Sequence, residues 1–130
     1  MSSEGAVPAL PRVLVVEDDD DSREMLMELI ASLGCTSIGA ANADEASEHG
    51  DNGGWDLALI DLGLPDVDGC EVARRLRARD SGRRRKLVAL TGFSDNATRA
   101  AAREAGFDDF LVKPVFPEKL AQLLGASARS

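Results

Sequence analysis

Strand-like and helix-like segments alternate along the whole chain, and this alternation limits the fold more than any other feature of the sequence. Val13–Val16 is a continuous run of branched apolar residues, as expected for a strand that is buried on both faces. After it, Leu26, Leu29 and Leu33 recur at the spacing of one helical face. Gly34 is typical of a helix end. Alternation of this kind predicts a parallel sheet with helices on both faces.

The rest of the chain repeats the same order. The further predicted strands are Cys35–Ala40, Asp56–Asp61, Lys86–Thr91 and Asp109–Val112. The further predicted helices are Ala43–His49 with Asn42 as its cap, Cys70–Arg79, Asp95–Ala105 and Phe116–Leu124. The segment LGLPDVDG, residues 62–69, is a predicted loop because of its Pro, Asp and Gly content. We therefore expect one folded domain over residues 12–125, with tails at 1–11 and 126–130.

Polar side chains stand where the predicted strands end. Glu17 and Asp18 follow the first strand, Asp61 ends the third, Thr91 ends the fourth, and Lys113 follows the fifth. Ligands of parallel α/β sheets bind beyond the carboxyl ends of the strands, so these groups should converge. Two carboxylates about 4 Å apart repel by roughly 4 kcal/mol at an effective dielectric near 20. Hard oxygen ligands suit Mg²⁺ or Mn²⁺, which would relieve that repulsion.

Three polar residues after the acidic pair have a simpler interpretation. Asp20, Asp21 and Ser22 directly precede the first helical pattern, where acids and hydroxyls cap the positive end of a helix. We expect them to serve that structural role.

Charge is distributed unevenly along the chain. Residues 1–69 hold 16 acids and 2 bases, a net charge of −14, and residues 70–130 hold 7 acids and 13 bases, a net charge of +6, which together give −8. An acidic first half disfavours nucleic acid and anionic membranes and favours a cation. The N-terminus lacks the pattern of a secretory signal and no apolar run reaches the roughly 20 residues of a membrane span, so we expect a cytoplasmic protein. Cys35 and Cys70 are expected to be buried free thiols.

Four segments in order resemble the receiver domain of bacterial two-component response regulators: VLVVEDD, LALIDLGLPDVDG, LVALTG and AGFDDFLVKPV. The resemblance covers Arg12 to Leu124. It implies a flavodoxin-like, doubly wound fold in which five parallel strands in the order 2-1-3-4-5 and five helices form three α/β/α layers. It also implies a signalling switch that phosphorylates and dephosphorylates itself, rather than a turnover enzyme.

The resemblance also implies a role for each residue at the strand ends. Asp61 would accept a phosphoryl group from a phosphohistidine of a sensor histidine kinase or histidine phosphotransferase. Asp18 and Asp61 would bind Mg²⁺ directly with the backbone carbonyl of Gly63, and Glu17 would act through water. Glu17 stands where Asp is common in the family, so its longer side chain is expected to alter the water shell of the metal.

Three further positions match the part of the family that responds to phosphorylation. Thr91 would bind one phosphoryl oxygen and Lys113 another. The bond between Lys113 and Pro114 would be cis. Phe110 stands where the family often has Tyr, and without a hydroxyl any switch through it must depend on packing. The alternative is that Phe110 is an ordinary core aromatic.

Several functions remain open at this point. The chain could be a free-standing regulator, a phosphorelay intermediate or the receiver of a hybrid histidine kinase, and we expect no output domain within it. Asp18 and Asp20 also form the DxD pattern of haloacid-dehalogenase-type phosphatases, which would leave Asp61 without a role. Flavodoxin-like cofactor binding is disfavoured because the acids would repel a flavin phosphate. The basic stretch Arg74–Lys86 is either a solvated face or a docking patch for an acidic partner, and Trp55 is expected to pack over a loop.

Overall fold

The computed structural model describes residues 11–52, 54–64, 68–79, 85–92 and 95–129. Its strands are β1 (Arg12–Val16), β2 (Thr36–Ala40), β3 (Leu57–Asp61), β4 (Lys86–Thr91) and β5 (Asp109–Val112). Its helices are α1 (Asp20–Ser32), α2 (Ala43–Asn52), α3 (Gly69–Ala78), α4 (Asn96–Ala105) and α5 (Pro117–Arg129). All neighbouring strands are parallel, in the order β2-β1-β3-β4-β5. This confirms the predicted sheet. Residues 1–10, 65–67 and 80–84, which belong to the predicted tail, loop and basic stretch, lie outside the described residues.

Apolar side chains of the sheet divide between its two faces. Val13 and Val15 pack in a cluster with residues of α1 and α5, whereas Leu14 and Val16 pack in a second cluster with residues of α2, α3 and α4. All four side chains are completely buried. Burying one such side chain stabilises a fold by about 1.5–3 kcal/mol, so register errors that turn a strand over are strongly disfavoured. The carboxyl ends of the strands are therefore held in fixed positions relative to one another.

Several helix boundaries differ from the prediction; α2, for example, continues to Asn52 instead of ending at His49. The N-cap of α1 is Asp19, whose side chain accepts a hydrogen bond from the Ser22 N–H, while Asp20 and Asp21 lie in the first turn. The predicted cap was wrong by one residue because every acid in this run can cap a helix. Helix α5 continues to Arg129, beyond Leu124 and through most of the predicted C-terminal tail.

The prediction of a solvated basic stretch was wrong for Arg77, and the prediction for Trp55 was also wrong. The guanidinium of Arg77 is not solvated: its side chain is only 15% exposed, it donates to the Gly106 carbonyl at 2.8 and 3.0 Å, and it pairs with Asp108. Trp55 is a core residue, 1% exposed, and the Arg85 guanidinium lies 4.8 Å from its ring centroid. These contacts tie the loops at the amino ends of the strands to the sheet, so part of the basic stretch is structural.

The remaining features of the fold are the two cysteines and the length and apolar character of the helices. Cys35 and Cys70 are buried free thiols, as predicted, and burial raises the pKa of both. Among the described residues, no helix combines the length and the apolar character that crossing a bilayer requires.

Candidate functional site

The acidic residues predicted at the strand ends come together at the carboxyl edge of the sheet. Strands β1 and β3 are direct neighbours, with Val16 opposite Ile60, so the residues that end them lie side by side. Glu17, Asp18 and Asp61 each offer a carboxylate oxygen, and these oxygens lie within 4.8 Å of one another. Glu17 is 2% exposed and Asp61 is 7% exposed, whereas Asp18 is open to solvent. Three carboxylates at this spacing are a suitable donor set for a hard divalent cation.

Lys113 links two of these carboxylates. Its Nζ lies 3.1 Å from Oε2 of Glu17 and 3.3 Å from Oδ2 of Asp61. The backbone helps to place it there, since the Lys113 N–H donates to the Thr91 carbonyl at 2.8 Å. The bond between Lys113 and Pro114 is cis, as predicted. The protein thus carries its own cation in the acidic cluster, supplied by the residue after β5, a strand that pairs with β4 and not with β1 or β3.

The ionisation of the site reflects both burial and pairing. Burial raises the pKa of Glu17, and the charge of Asp61 adds to this effect, while the hydrogen bond from Lys113 opposes it. For Lys113, burial lowers the pKa, but the hydrogen bond to Glu17 and the charge of Asp61 outweigh it, so the net shift is upward. A positive charge at Lys113 is therefore stabilised by the carboxylates around it.

Two further contacts fix the position of Asp61: a hydrogen bond to its side chain and the packing of α3 against its backbone. The Gly63 N–H donates to its Oδ1 at 3.0 Å, which fixes the rotation of the carboxylate. Helix α3 begins directly against its backbone: a Cβ at Gly69 would lie 2.4 Å from the Asp61 carbonyl oxygen. Real Cβ atoms do not approach that closely, so this packing requires glycine. Asp68 caps the same helix by accepting from the Cys70 N–H at 2.9 Å.

An open cleft leads to the carboxylate of Asp61. It has a volume of about 390 Å³ and lies between the loop after β3, the end of β4 and helix α4. Thr91 is buried at the end of β4 and lines this cleft with Gly63 and Cys70. The cleft is therefore large enough for a phosphoryl group and solvent next to Asp61.

Phe110 lies apart from the acidic cluster. It is half-buried on β5, opposite Ala89, and packs on the edge of one core cluster. The guanidinium of Arg99, on α4, lies 5.3 Å from the centroid of its ring. An arginine over an aromatic face is a favourable cation–π arrangement, worth about 0.5–1 kcal/mol at an exposed position. Phe110 is thus held partly by packing and partly by a helix that borders the cleft.

Two residues that position the site were missed by the sequence reasoning. Gly69 fell within a loop defined by its composition, and nothing in a single sequence distinguishes a glycine required by close packing from one required by a turn. Arg23 was not considered; its guanidinium hydrogen-bonds the Glu17 backbone carbonyl at 2.9 Å. Its position six residues after Glu17, one helical turn into α1, was the sequence signal that could have indicated this contact.

Comparisons with known proteins agree with this architecture. The family model described as "Response regulator receiver domain" matches residues 13–125. The transcriptional regulatory protein ResD of Bacillus subtilis is 33% identical over 118 residues, which cover 91% of this chain but 48% of that protein. A 14.6 kDa protein of Leptolyngbya boryana is 35% identical over 112 residues, 86% of each chain. The chain thus spans about half of the regulator and most of the smaller protein.

A solved structure extends the similarity to three dimensions. The receiver domain of a sensor histidine kinase of Pseudomonas aeruginosa, solved with a magnesium ion coordinated in its active site cleft, superposes with a TM-score of 0.84. It is 30% identical in sequence, and the match covers 94% of this chain and all of the other. The family match covers nearly the whole described fold, and the strand order and the acidic cluster are those that the resemblance implied. This chain therefore belongs to the response regulator receiver domain family of two-component systems.

Proposed function

We propose that this chain is a phosphorylatable switch whose phosphoacceptor is Asp61. The proposal rests above all on the surroundings of that carboxylate, which is buried, opens to a cleft, and contacts the Gly63 N–H and the Lys113 ammonium. A carboxylate is a competent nucleophile toward phosphorus. A carboxylate oxygen would bond to phosphorus while the P–N bond to the imidazole of a phosphohistidine breaks, and the imidazole would then regain a proton from solvent.

Phosphoryl transfer requires positioning and charge neutralisation more than acid–base chemistry. Glu17, Asp18, Asp61 and the carbonyl of Gly63 would hold Mg²⁺ or Mn²⁺, with Glu17 acting through water. The bound ion would supply positive charge beside the transferred oxygens. Lys113 would move from its carboxylate partners to a phosphoryl oxygen, and Thr91, which lines the same cleft, would donate its hydroxyl to another.

The switch would involve the border between β4, α4 and β5. Contact of Thr91 with the phosphoryl group would draw the end of β4 toward Asp61, and Phe110 on the neighbouring strand would turn further into the core. Arg99 would have to leave the Phe110 ring or follow it, which couples α4 to the change. The partner on the donor side would be a sensor histidine kinase or histidine phosphotransferase. The role is that of a switch without turnover of a separate substrate.

The test is phosphorylation by a small-molecule donor. Purified protein incubated with acetyl phosphate and Mg²⁺ should gain one phosphoryl group by intact-mass spectrometry, and peptide mapping should locate it at Asp61. Asp61→Asn keeps the size but lacks the nucleophilic oxygen and should gain none. Asp44→Asn, at an exposed acid on α2, is the control and should be modified normally.

Two outcomes would refute the assignment. Normal phosphate uptake by Asp61→Asn would exclude Asp61 as the acceptor. A phosphoryl group mapped to Asp18 would instead favour a phosphatase of the haloacid dehalogenase type, the alternative based on Asp18 and Asp20.

A further inference from the structure

Arg23 contacts both ends of the acidic segment (residues 17–20), which comprises the loop after β1 and the first residue of α1. It lies in the first turns of α1, and its side chain turns back toward the loop that precedes the helix. Its Nη1 donates to the backbone carbonyl of Glu17 at 2.9 Å, and its Nη2 pairs with Oδ1 of Asp20 at 2.5 Å. Its own N–H donates to the Asp19 carbonyl at 2.9 Å. One residue thus contacts the beginning, the middle and the end of this segment.

The bond to the Glu17 carbonyl bears directly on Asp18. That carbonyl belongs to the peptide unit that joins Glu17 to Asp18, and a peptide unit is planar. Fixing its oxygen therefore restricts the direction in which the chain enters Asp18. The side chain of Asp18 is exposed and belongs to the acidic cluster. Its direction therefore depends strongly on the backbone that carries it.

The burial of Arg23 argues against a chance surface contact. Its side chain is 19% exposed, whereas that of its partner Asp20 is 78% exposed. An exposed ion pair would contribute little. A guanidinium largely withdrawn from water must have its donors satisfied, and here a backbone carbonyl satisfies one of them. The site is thus built around the Glu17 carbonyl as well as around the ion pair.

Geometry and charge predict opposite effects of Arg23 on a metal in the acidic cluster. A positive charge beside the carboxylates would by itself repel Mg²⁺, whereas a fixed loop would favour binding by holding the ligand in place. The carboxylate of Asp20, 2.5 Å away, largely neutralises the charge of Arg23. The geometric effect should therefore dominate.

We propose that Arg23 is a positioning residue of the metal site, which orients Asp18 through the Glu17 carbonyl and thereby strengthens the binding of Mg²⁺. This inference rests on the proposed function, in which the acidic cluster holds that ion. Residues that orient metal ligands from outside typically change metal affinity by about 10–100-fold when they are removed. Since Arg23 acts through the backbone, we expect the lower end of this range.

The test uses two substitutions that separate geometry from charge, with Mg²⁺ as the only ligand. Arg23→Lys keeps the charge but cannot bridge the Glu17 carbonyl and Asp20 with one planar group. Arg23→Gln removes the charge as well. Isothermal titration calorimetry on the full chain, well below the melting temperature of each variant, should give Kd values for Mg²⁺ roughly tenfold higher than wild type for both.

A matched control is available on α3. Arg74 pairs with Glu71 at 3.3 Å with the same three-residue spacing as Arg23 and Asp20, but it is 56% exposed. Arg74→Gln should leave the Kd for Mg²⁺ unchanged. Because affinity is measured on folded protein, a general loss of stability would lower the melting temperature without producing the expected change in Kd. Should Arg23→Gln not fold, Arg23→Lys alone carries the comparison.

Three other results would contradict the inference. Unchanged affinity in both Arg23 variants would overturn the inference while leaving the metal site intact. Tighter binding in Arg23→Gln with wild-type binding in Arg23→Lys would mean that Arg23 acts only as a charge. Absence of Mg²⁺ binding by the wild type would refute the proposed metal site and this inference with it.

Discussion

Removing the ammonium of Lys113 should destabilise the protein when no metal is present. Its Nζ lies 3.1 Å from a carboxylate oxygen of Glu17 and 3.3 Å from one of Asp61, and both carboxylates are buried. At an effective dielectric near 20, each contact corresponds to a Coulomb attraction of about 5 kcal/mol. Much of this is offset by the cost of withdrawing the charges from water. Lys113→Met would leave the two carboxylates facing each other without a cation.

The net effect should be smaller than the Coulomb sum. Breaking a buried ion pair costs about 3–5 kcal/mol. The Lys113 side chain is 37% exposed, so solvent screens part of the interaction. Protonation of Glu17, whose pKa burial already raises, would relieve part of the repulsion. We therefore expect a loss of about 2 kcal/mol, which for a chain of this length lowers the melting temperature by about 7 °C.

Thermal unfolding followed by circular dichroism, in EDTA and in millimolar Mg²⁺, measures this effect. In EDTA, Lys113→Met should melt below wild type. Mg²⁺ should raise its melting temperature more than that of wild type, because ligand binding stabilises the native state and the carboxylates of the variant have no ammonium to neutralise them. Lys119→Met, at an exposed lysine of α5, is the control. A Lys113→Met protein that melts at or above the wild-type temperature in EDTA would refute the reasoning.

Two further predictions concern the elements around the site. Gly69→Ala should lower the free energy of unfolding by about 1–3 kcal/mol, because its Cβ would meet the Asp61 carbonyl oxygen at 2.4 Å. Gly125→Ala is the control and should be neutral or stabilising, because open space surrounds that position; equal urea midpoints for the two variants would contradict this. Hydrogen bonding from the Thr98 N–H lowers the pKa of Asp95, so its stabilisation of α4 is present above its unfolded-state pKa and is lost as the pH falls through the folded-state value. The stability difference between wild type and Asp95→Ala should therefore shrink between neutral pH and about pH 3, and a difference independent of pH would count against this cap.

The sheet and the acidic edge could be predicted because both follow from local patterns. Strands such as β3, buried along its whole length, are continuous apolar runs, and polar residues directly after such runs must lie at the strand ends. The expectation that Glu17, Asp18 and Asp61 converge required only the parallel arrangement of the sheet. Their cluster in the structure agrees with that expectation, while their roles in metal binding and phosphoryl transfer remain predictions.

Contacts between distant side chains could not be predicted in the same way. Glu17 and Lys113 are 96 residues apart, and their pairing depends on the course of the chain after β5. Arg77 had the charge and surroundings of a surface residue, but the loop at Gly106 comes close enough to accept two of its hydrogen bonds. Helix α5 continues through Gly125 to Arg129, although glycine is a typical stop signal, so its end could not be read from the sequence.

The charges in the acidic cluster suggest why a divalent ion suits the proposed reaction. Three carboxylates and the Lys113 ammonium, each counted as ionised, leave a net charge of −2, which a divalent cation neutralises. Phosphorylation of Asp61 would replace its single negative charge with about two. Without the ion the phosphorylated site would reach about −3, but with it only about −1. Among the described residues, neither cation that contacts the cluster or its backbone removes this need, because Lys113 is already counted and Arg23 is paired with Asp20. The acidic residues after β1 therefore favour a site that is incomplete without metal: the ion would neutralise it before phosphorylation and would keep its net charge at about −1 afterwards.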